Sequence, residues 1–411
     1  MYIHIPRNFQ HLFDLLSNNL QVADCAHPVD LKFVDTDIFS IFDGQSKFEF
    51  EVPSKFVRLK HDCLQLFYYP NNTISQASDV CQNLVTIGFP DPNNEGHFFD
   101  RWFDDVEHKI SYSYQVTDRD DFNQRHLSWF ISLIVLGYAL EDAILLANTI
   151  VCCHVSRETW SNHLALPYAT VDIKSTVKSS RYLSDGKKKD FKSLHSNRIG
   201  LYPVVDNLAL LEELLALGVG IIQLRIKDSK LSIAQIEKLI IQSIELGKSY
   251  NSQVFINDYW QLAIKHEAYG VHLGQEDIYY ADLNAIQCAG LALGISTHSY
   301  YEIMRAIEVS PSYIALGHVF ATPTKVMKSK PQGLCKLSSY VKLIQAKCPH
   351  IPTVAIGGID SQNADQIIST GVGGVAVVRA VSDCSDLANT VGYLSSLTYK
   401  NNSYDEVNHV R

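Results

Sequence analysis

The sequence predicts an α/β protein in two parts: a C-terminal closed (β/α)8 TIM barrel and a separate N-terminal α/β domain. Three observations carry that expectation. The chain has 411 residues, more than one domain normally holds. A Lys-, Ser- and Asp-rich stretch with little apolar periodicity divides it at 174–198. Beyond that stretch, short β-branched apolar runs alternate with helical periods eight times in about 200 residues, which suits a compact barrel.

The eight expected strands are 202–206, 220–227, 253–258, 270–274, 291–297, 313–320, 352–359 and 374–381. Between them, 208–217, 233–246 and 334–346 repeat apolar residues every 3.6 positions and read as helices. An open doubly wound sheet would start on a glycine-rich phosphate turn. Here the first strand runs Tyr202-Pro203-Val204-Val205-Asp206-Asn207-Leu208, with no G-x-G-x-x-G. The expected boundaries are 1–173 for the N-terminal domain, 174–198 for an exposed linker, 199–398 for the barrel and 399–411 for a polar tail. Lys187-Lys188-Lys189 in the linker is open to reading as a polybasic contact, but no aromatics interleave with it, and a solvated linker is expected. In the first half the run 127–140 stops at Glu141-Asp142, too short for a bilayer and expected as a buried helix.

Composition narrows the function classes. A chain 46% hydrophobic and 19% charged is neither disordered nor collagen-like. Its net charge of −9, from 35 basic and 44 acidic residues, gives no general attraction for nucleic acid or anionic membrane. Nine scattered cysteines without a C-x-x-C pair argue against a disulfide framework or structural zinc, and for a reducing compartment. The start, Met1-Tyr2-Ile3-His4-Ile5-Pro6-Arg7, has no apolar signal core. The expectation is a cytoplasmic protein with small-molecule partners, no nucleic acid and no membrane; a homo-oligomer is left open.

Chemistry in such a barrel sits at the C-terminal strand ends. Alternation puts Gln223, Arg225 and Lys227 on one face of the second strand and Ile222, Leu224 and Ile226 on the other, so three polar groups should point into the barrel mouth. The third strand ends at Asn257-Asp258, and Asp277 follows the fourth. Two carboxylates on neighbouring strand ends suit Mg²⁺, which takes one or two carboxylates and completes its shell with water and phosphate oxygens. Asp258 could instead cap a helix at 259–266, and Asp277 could be a loop residue. Thr322-Pro323-Thr324-Lys325 after the sixth strand offers hydroxyls, amides and a lysine to an anion. The last two strands end at Gly357-Gly358 and at Val378-Arg379, where barrels of this class bind phosphate. His272 and His318 read as hydrogen-bonded core histidines inside strands, and Cys335 and Cys348 as packing residues.

At these residues the chain resembles thiamine phosphate synthases. The likeness runs from about 200 to 395 through Gly200-Leu201-Tyr202-Pro203-Val204-Val205-Asp206, Gln223-Leu224-Arg225-Ile226-Lys227 and Ile256-Asn257-Asp258-Tyr259-Trp260. It continues through Gly270-Val271-His272-Leu273-Gly274-Gln275-Glu276-Asp277, Gly294-Ile295-Ser296-Thr297-His298 and Ala315-Leu316-Gly317-His318-Val319-Phe320. The resemblance implies Mg-dependent joining of 4-amino-2-methyl-5-(diphosphomethyl)pyrimidine to a thiazole phosphate, with release of pyrophosphate through a dissociative, cation-like step. It implies Mg²⁺ on Asp258 and Asp277, and a substrate set that spans Gln223 to Lys227 and includes Leu224 and Ile226. Asn257, Ser296 and Lys325 join that set for the pyrimidine diphosphate; Thr322, Pro323, Thr324, Gly358, Val378 and Arg379 join it for the thiazole phosphate. Arg225, Lys227, Ser296 and Lys325 are the expected catalytic groups. Arg379 departs from the family, which often has serine there.

The stretch 130–147, with Leu136-Gly137-Tyr138-Ala139-Leu140-Glu141-Asp142-Ala143, resembles the late helix of ribokinase-like hydroxymethylpyrimidine phosphate kinases. Those enzymes precede it with a Gly-Thr-Gly-Cys anion hole. Here Asp121-Phe122-Asn123-Gln124-Arg125-His126 holds no glycine, so a degenerate kinase-like remnant without activity is expected. Two further readings of the barrel remain: a thiazole tautomerase, which needs no pyrophosphate clamp, and a non-enzymatic sensor of thiamine precursors.

Overall fold

A computed structural model describes residues 1–22, 29–42, 46–52, 64–68, 84–90, 97–103, 108–110, 114–115, 119–152, 190–196, 198–228, 230–322 and 330–400. The chain divides into two compact units, Met1–Asp172 and Ile173–Arg411.

The first unit is α/β, as expected. Its strands are β1 (Tyr2–Pro6), β2 (Asp30–Val34), β3 (Ile38–Phe42), β4 (Lys47–Glu51), β5 (Leu64–Tyr68), β6 (Leu84–Pro90), β7 (His97–Phe103), β8 (His108–Ile110) and β9 (Tyr114–Gln115). They form one mixed sheet in the order β2-β1-β3-β4-β5-β6-β7-β8, with β9 also on β7. Alternation buries Ile3 and Ile5 on β1, and Phe39 and Ile41 on β3. Phe39 stacks on Phe50 at 4.8 Å, and Phe50 meets Phe130 edge-on at 5.5 Å, joining the sheet to helix Arg119–Val135.

The apolar run 127–140 is largely buried over 127–135 but half-buried or exposed over 136–140, and it is not one helix. Helix Arg119–Val135 stops before Gly137, whose φ of +78° is left-handed. Gly137 and Tyr138 amides close the end onto the carbonyls of Ile134 and Leu133, and a second helix covers Leu140–Cys152. Residues 121–126 lie inside the first of these helices. His126 is fully buried with Nδ1 2.9 Å from the Tyr68 hydroxyl, and burial pushes its pKa down to about 3.

All eight predicted barrel strands are present: β10 (Gly200–Val205), β11 (Ile221–Leu224), β12 (Gln253–Asn257), β13 (Gly270–Leu273), β14 (Ala292–Thr297), β15 (Tyr313–Gly317), β16 (Thr353–Ile356) and β17 (Gly374–Val377). Every neighbouring pair is parallel, and β17 closes on β10 with Gly200 opposite Gly374. Several strands end earlier than expected, because their last polar residues already belong to the mouth. The interior is filled by Tyr202, Val204, Phe255, Tyr313, Ala315, Val354 and Ala376. Large rings need small neighbours: a Cβ on Gly294 would lie 2.2 Å from Cζ of Tyr313. Helix entries follow local sequence, with Asn207 capping Leu208–Ala216 and a Ser232–Gln235 capping box opening Ile233–Ser249.

The last part of the expected linker is bound chain. Phe191 is buried, and the Lys192 amide donates to the Leu291 carbonyl at 3.3 Å. Ser312 Oγ donates to the Lys192 carbonyl at 2.6 Å, Tyr269 OH to Ser193 at 2.8 Å, and the His195 amide to Gln253 Oε1 at 3.0 Å. Residues 190–196 thereby supply polar partners at the N-terminal starts of the strands, where backbone groups lack ladder neighbours. Lys187–Lys189 lie outside the described residues. Among the described residues no cysteine forms a disulfide; Cys335 is exposed rather than packed, and Cys348 is half-buried.

Candidate active site

The C-terminal strand ends surround a cavity of about 500 Å³. Gln223, Arg225 and Lys227 all line it, as alternation requires. The Arg225 amide extends the ladder past the end of β11 by donating to Val205 at 2.7 Å. Leu224 and Ile226 do not line the cavity. They are buried on the opposite face, where their side chains pack in the core. Burial lowers the Arg225 pKa, and the Asp258 carboxylate pulls it the other way.

Asp258 follows β12 directly, at a left-handed φ of 64°, a conformation that aspartate tolerates better than most residues. Its amide donates to the His272 carbonyl at 3.0 Å. It does not cap the next helix; the cap of Trp260–Lys265 is Tyr259, without a side-chain bond. Asp277 is not a loop residue either. It is third in helix Gln275–Tyr280, and its carboxylate accepts the Gly274 amide at 3.2 Å. Lys227 Nζ pairs with Asp258 Oδ2. Burial raises the Asp277 pKa, and the facing Asp258 carboxylate raises it further.

Two facing carboxylates with mutual repulsion form a hard-oxygen site that a divalent cation relieves. Among the described residues no group of three or more His, Cys, Asp or Glu side chains stands together, so a closed all-protein metal cage is not formed. Mg²⁺ needs only such a pair when phosphate oxygens and water supply the rest. The residues present fit it.

The other wall holds Thr322, Gly357, Gly358, Val378 and Arg379. Gly357 has a φ of +106°, and a Cβ there would lie 2.4 Å from His318 Cβ, so this loop needs glycine to rest on the β15 end. Pro323, Thr324 and Lys325 lie outside the described residues.

Between the two walls, Asn257 and Ser296 also face the cavity. Ser296 ends a buried polar chain. Gln223 Nε2 donates to Tyr202 OH at 3.2 Å, which bonds Tyr313 OH at 2.6 Å. Tyr313 OH meets His272 Nδ1 at 2.7 Å, and His272 Nε2 meets Ser296 Oγ at 2.8 Å. Burial raises both tyrosine pKa values, keeping the phenols protonated. His272 is therefore the bonded histidine expected, with one ring edge at the cavity.

Sequence reasoning missed His298 and Glu302, and set His318 aside as a strand residue. His298 lines the cavity, and both its amide and Nδ1 bond Glu302 Oε2, at 2.6 and 2.9 Å. The signal was present: Ser299 to Glu302 has capping-box spacing, and Ser299 Oγ accepts the Glu302 amide at 3.1 Å. His318 lies one residue past β15, at the cavity wall.

Barrel and cavity together define an enzyme acting on small anionic substrates at the C-terminal strand ends. Residues 201–381 match the family model described as thiamine monophosphate synthase. The thiamine-phosphate synthase of Yersinia pestis is 56% identical over 200 residues, covering 49% of this chain and 90% of the relative. That of Salmonella paratyphi B is 55% identical over 189 residues, covering 46% and 87%. Among solved structures, thiamine phosphate pyrophosphorylase from Pyrococcus furiosus is similar with a TM-score of 0.44 and 29% identity, over 50% of this chain and 97% of that one. The chain belongs to the thiamine-phosphate synthase family, and it is a transferase. Among the described residues no helix is long and apolar enough to cross a membrane.

Proposed function

We propose that the barrel joins 4-amino-2-methyl-5-(diphosphomethyl)pyrimidine to 4-methyl-5-(2-phosphoethyl)thiazole, giving thiamine phosphate and pyrophosphate. The observation that carries this reading is one cavity with two unlike anion walls. One wall presents Arg225, Lys227, Asp258 and Asp277; the other presents Thr322 and the Gly357–Gly358 turn. Asp258 and Asp277 would hold Mg²⁺, which supplies charge neutralisation for the diphosphate.

Arg225 and Lys227 bind the diphosphate oxygens and stabilise the negative charge that grows as the methylene–oxygen bond breaks. The pyrimidine amino group feeds electrons into its ring, so the carbon left behind is a delocalised cation. The thiazole nitrogen then gives its lone pair to that carbon, forming the new C–N bond, and the pyrophosphate carries away the bonding pair. No proton is abstracted, so the chain needs no strong base or nucleophile. Thr322, Gly358 and the Val378–Arg379 backbone hold the thiazole phosphate so that its nitrogen points at the cation. Asn257 and Ser296 lie between the two and orient the diphosphate end. Lys325 would add a third cation for the leaving pyrophosphate.

Turnover of both precursors by the full chain, with Mg²⁺ and in excess chelator, tests the proposal. Thiamine phosphate and pyrophosphate should form in equal amounts and only with the metal. Tautomerisation of a thiazole precursor without coupling, or binding of either precursor without turnover, would replace this reading with a tautomerase or a sensor.

A further inference from the structure

His318 is 6% exposed and sits in the cavity wall beside the Gly357 turn. Its Nδ1 is fully buried and has no hydrogen-bond partner among the described residues. The backbone around it is held firmly. The Gln332 amide N–H donates to the His318 carbonyl at 2.9 Å, and the Gln332 side chain donates to the carbonyls of Gly317 at 2.5 Å and His298 at 3.3 Å. Gly357 closes the remaining side, since even a methyl group there would overlap His318.

A neutral imidazole has one proton for two nitrogens. A proton on Nδ1 would be a buried donor with no acceptor, which is costlier than a bare lone pair in the same place. The proton therefore belongs on Nε2, the nitrogen left to meet a ligand. A second proton is opposed by burial and by His298, both of which lower the His318 pKa.

We propose that His318 is a substrate-contacting residue for the second substrate, its Nε2–H donating to a phosphate oxygen of the thiazole phosphate. This rests on the assignment of that substrate to the wall of Thr322, Gly357 and Gly358. The chemistry sorts the two anions. Arg225 and Lys227 attract the more highly charged diphosphate to their side. Arg379 brings one cation to the second wall, and an uncharged donor there, like the hydroxyl and amides beside it, adds a bond to the monoester without further charge that would compete for the diphosphate.

The test compares His318→Gln with His318→Asn in steady-state kinetics of the full chain. A glutamine amide nitrogen lies near the place of Nε2, and an asparagine nitrogen near the place of Nδ1. His318→Gln should keep the KM for thiazole phosphate within about threefold of the wild type. His318→Asn should raise that KM about tenfold, with the KM for the pyrimidine diphosphate and kcat nearly unchanged, as expected for one lost hydrogen bond in ground state and transition state alike. Calorimetry adds a second readout: the wild type should prefer the thiazole phosphate over its dephosphorylated alcohol more strongly than His318→Asn does. Equal KM values for the two variants, a raised KM for the diphosphate, or an unchanged preference over the alcohol would overturn the assignment. A wild type that binds both substrates but does not join them would instead remove the reaction on which it rests.

Discussion

Gly294→Ala tests how tightly the barrel interior is specified. The new Cβ would stand 2.2 Å from Cζ, 2.4 Å from Cε1 and 2.4 Å from the hydroxyl of Tyr313. Carbon atoms pack at about 3.5–4.0 Å, so the ring must retreat by more than about 1 Å. It has nowhere to go: Tyr313 is fully buried, edge-on to Tyr202 at 5.6 Å and Phe255 at 5.3 Å, and stacked on His272 at 5.6 Å. Its hydroxyl also holds the bonds to Tyr202 and His272. Overpacking costs about 1–3 kcal/mol, and two disturbed hydrogen bonds about 1 kcal/mol each, so a loss of about 3–5 kcal/mol is expected. Urea unfolding of the barrel, followed by circular dichroism, measures it as a lower midpoint at unchanged slope. Adding Tyr313→Leu removes the clashing ring atoms. The double variant should therefore lose at least about 1 kcal/mol less than the sum of the two singles. A loss below about 1 kcal/mol for Gly294→Ala, or strict additivity, would refute the packing argument.

Four other outcomes are expected. Because burial and Asp258 raise the Asp277 pKa in the folded protein, the stability tied to that group is present at low pH and lost as pH rises through the raised value. Metal-free Asp277→Asn should then be more stable than the wild type at pH 7, by about 0.5–2 kcal/mol, with the gap closing towards pH 4 and turnover abolished; thermal melts across that range decide it, and an equal or lower stability at pH 7 contradicts the repulsion. His126, with a pKa pushed down to about 3, should stay neutral on acidification, and protons taken up only by the unfolded chain should cost the first unit stability below about pH 6.5. Imidazole resonances of His126 that move between pH 7 and 5 in the folded chain would disprove its burial as neutral. The fragment 190–400 should fold and retain coupling activity, and should outlast 199–400 in urea because it keeps Phe191 and the bonds made by 190–196; equal midpoints would show that this segment contributes nothing. Residues 1–173 are expected to show no pyrimidine phosphate kinase activity, checked by ATP turnover.

The barrel was legible because each strand carries two signals at once. Ile222, Leu224 and Ile226 mark the buried face, while Gln223, Arg225 and Lys227 could not be buried there unpaired and so had to meet a cavity. Leu224 and Ile226 share that motif, and the alternation that brings its polar residues to the cavity sends their side chains into the core. The cap left open as the alternative for Asp258 does not form, because its left-handed backbone directs it to Lys227. The end of the linker was not legible, since 190–196 binds through backbone groups that leave no side-chain pattern except Phe191. His298 was missed, and His318 read as a strand residue, for a related reason: a single residue after a strand has no periodicity to betray it. In the first unit, Gly137 was visible in the sequence, but its power to stop a helix depends on the left-handed turn that the flanking apolar residues permit.

The polar thread through the barrel has a direction. An amide nitrogen can only give a proton, so Gln223 forces Tyr202 to accept at its oxygen and to spend its own hydrogen on Tyr313. Tyr313 must then give its hydrogen to His272 Nδ1, which fixes the imidazole tautomer with its hydrogen on Nε2, aimed at Ser296 Oγ. Ser296 receives at its oxygen and keeps its own hydrogen for whatever occupies the cavity. Orientation chosen at Gln223 thus arrives, four bonds later, as a serine hydroxyl polarised to greet an anion. Turning the Gln223 amide over, or replacing it with Glu, would reverse the sense of every link and present the incoming diphosphate with a lone pair.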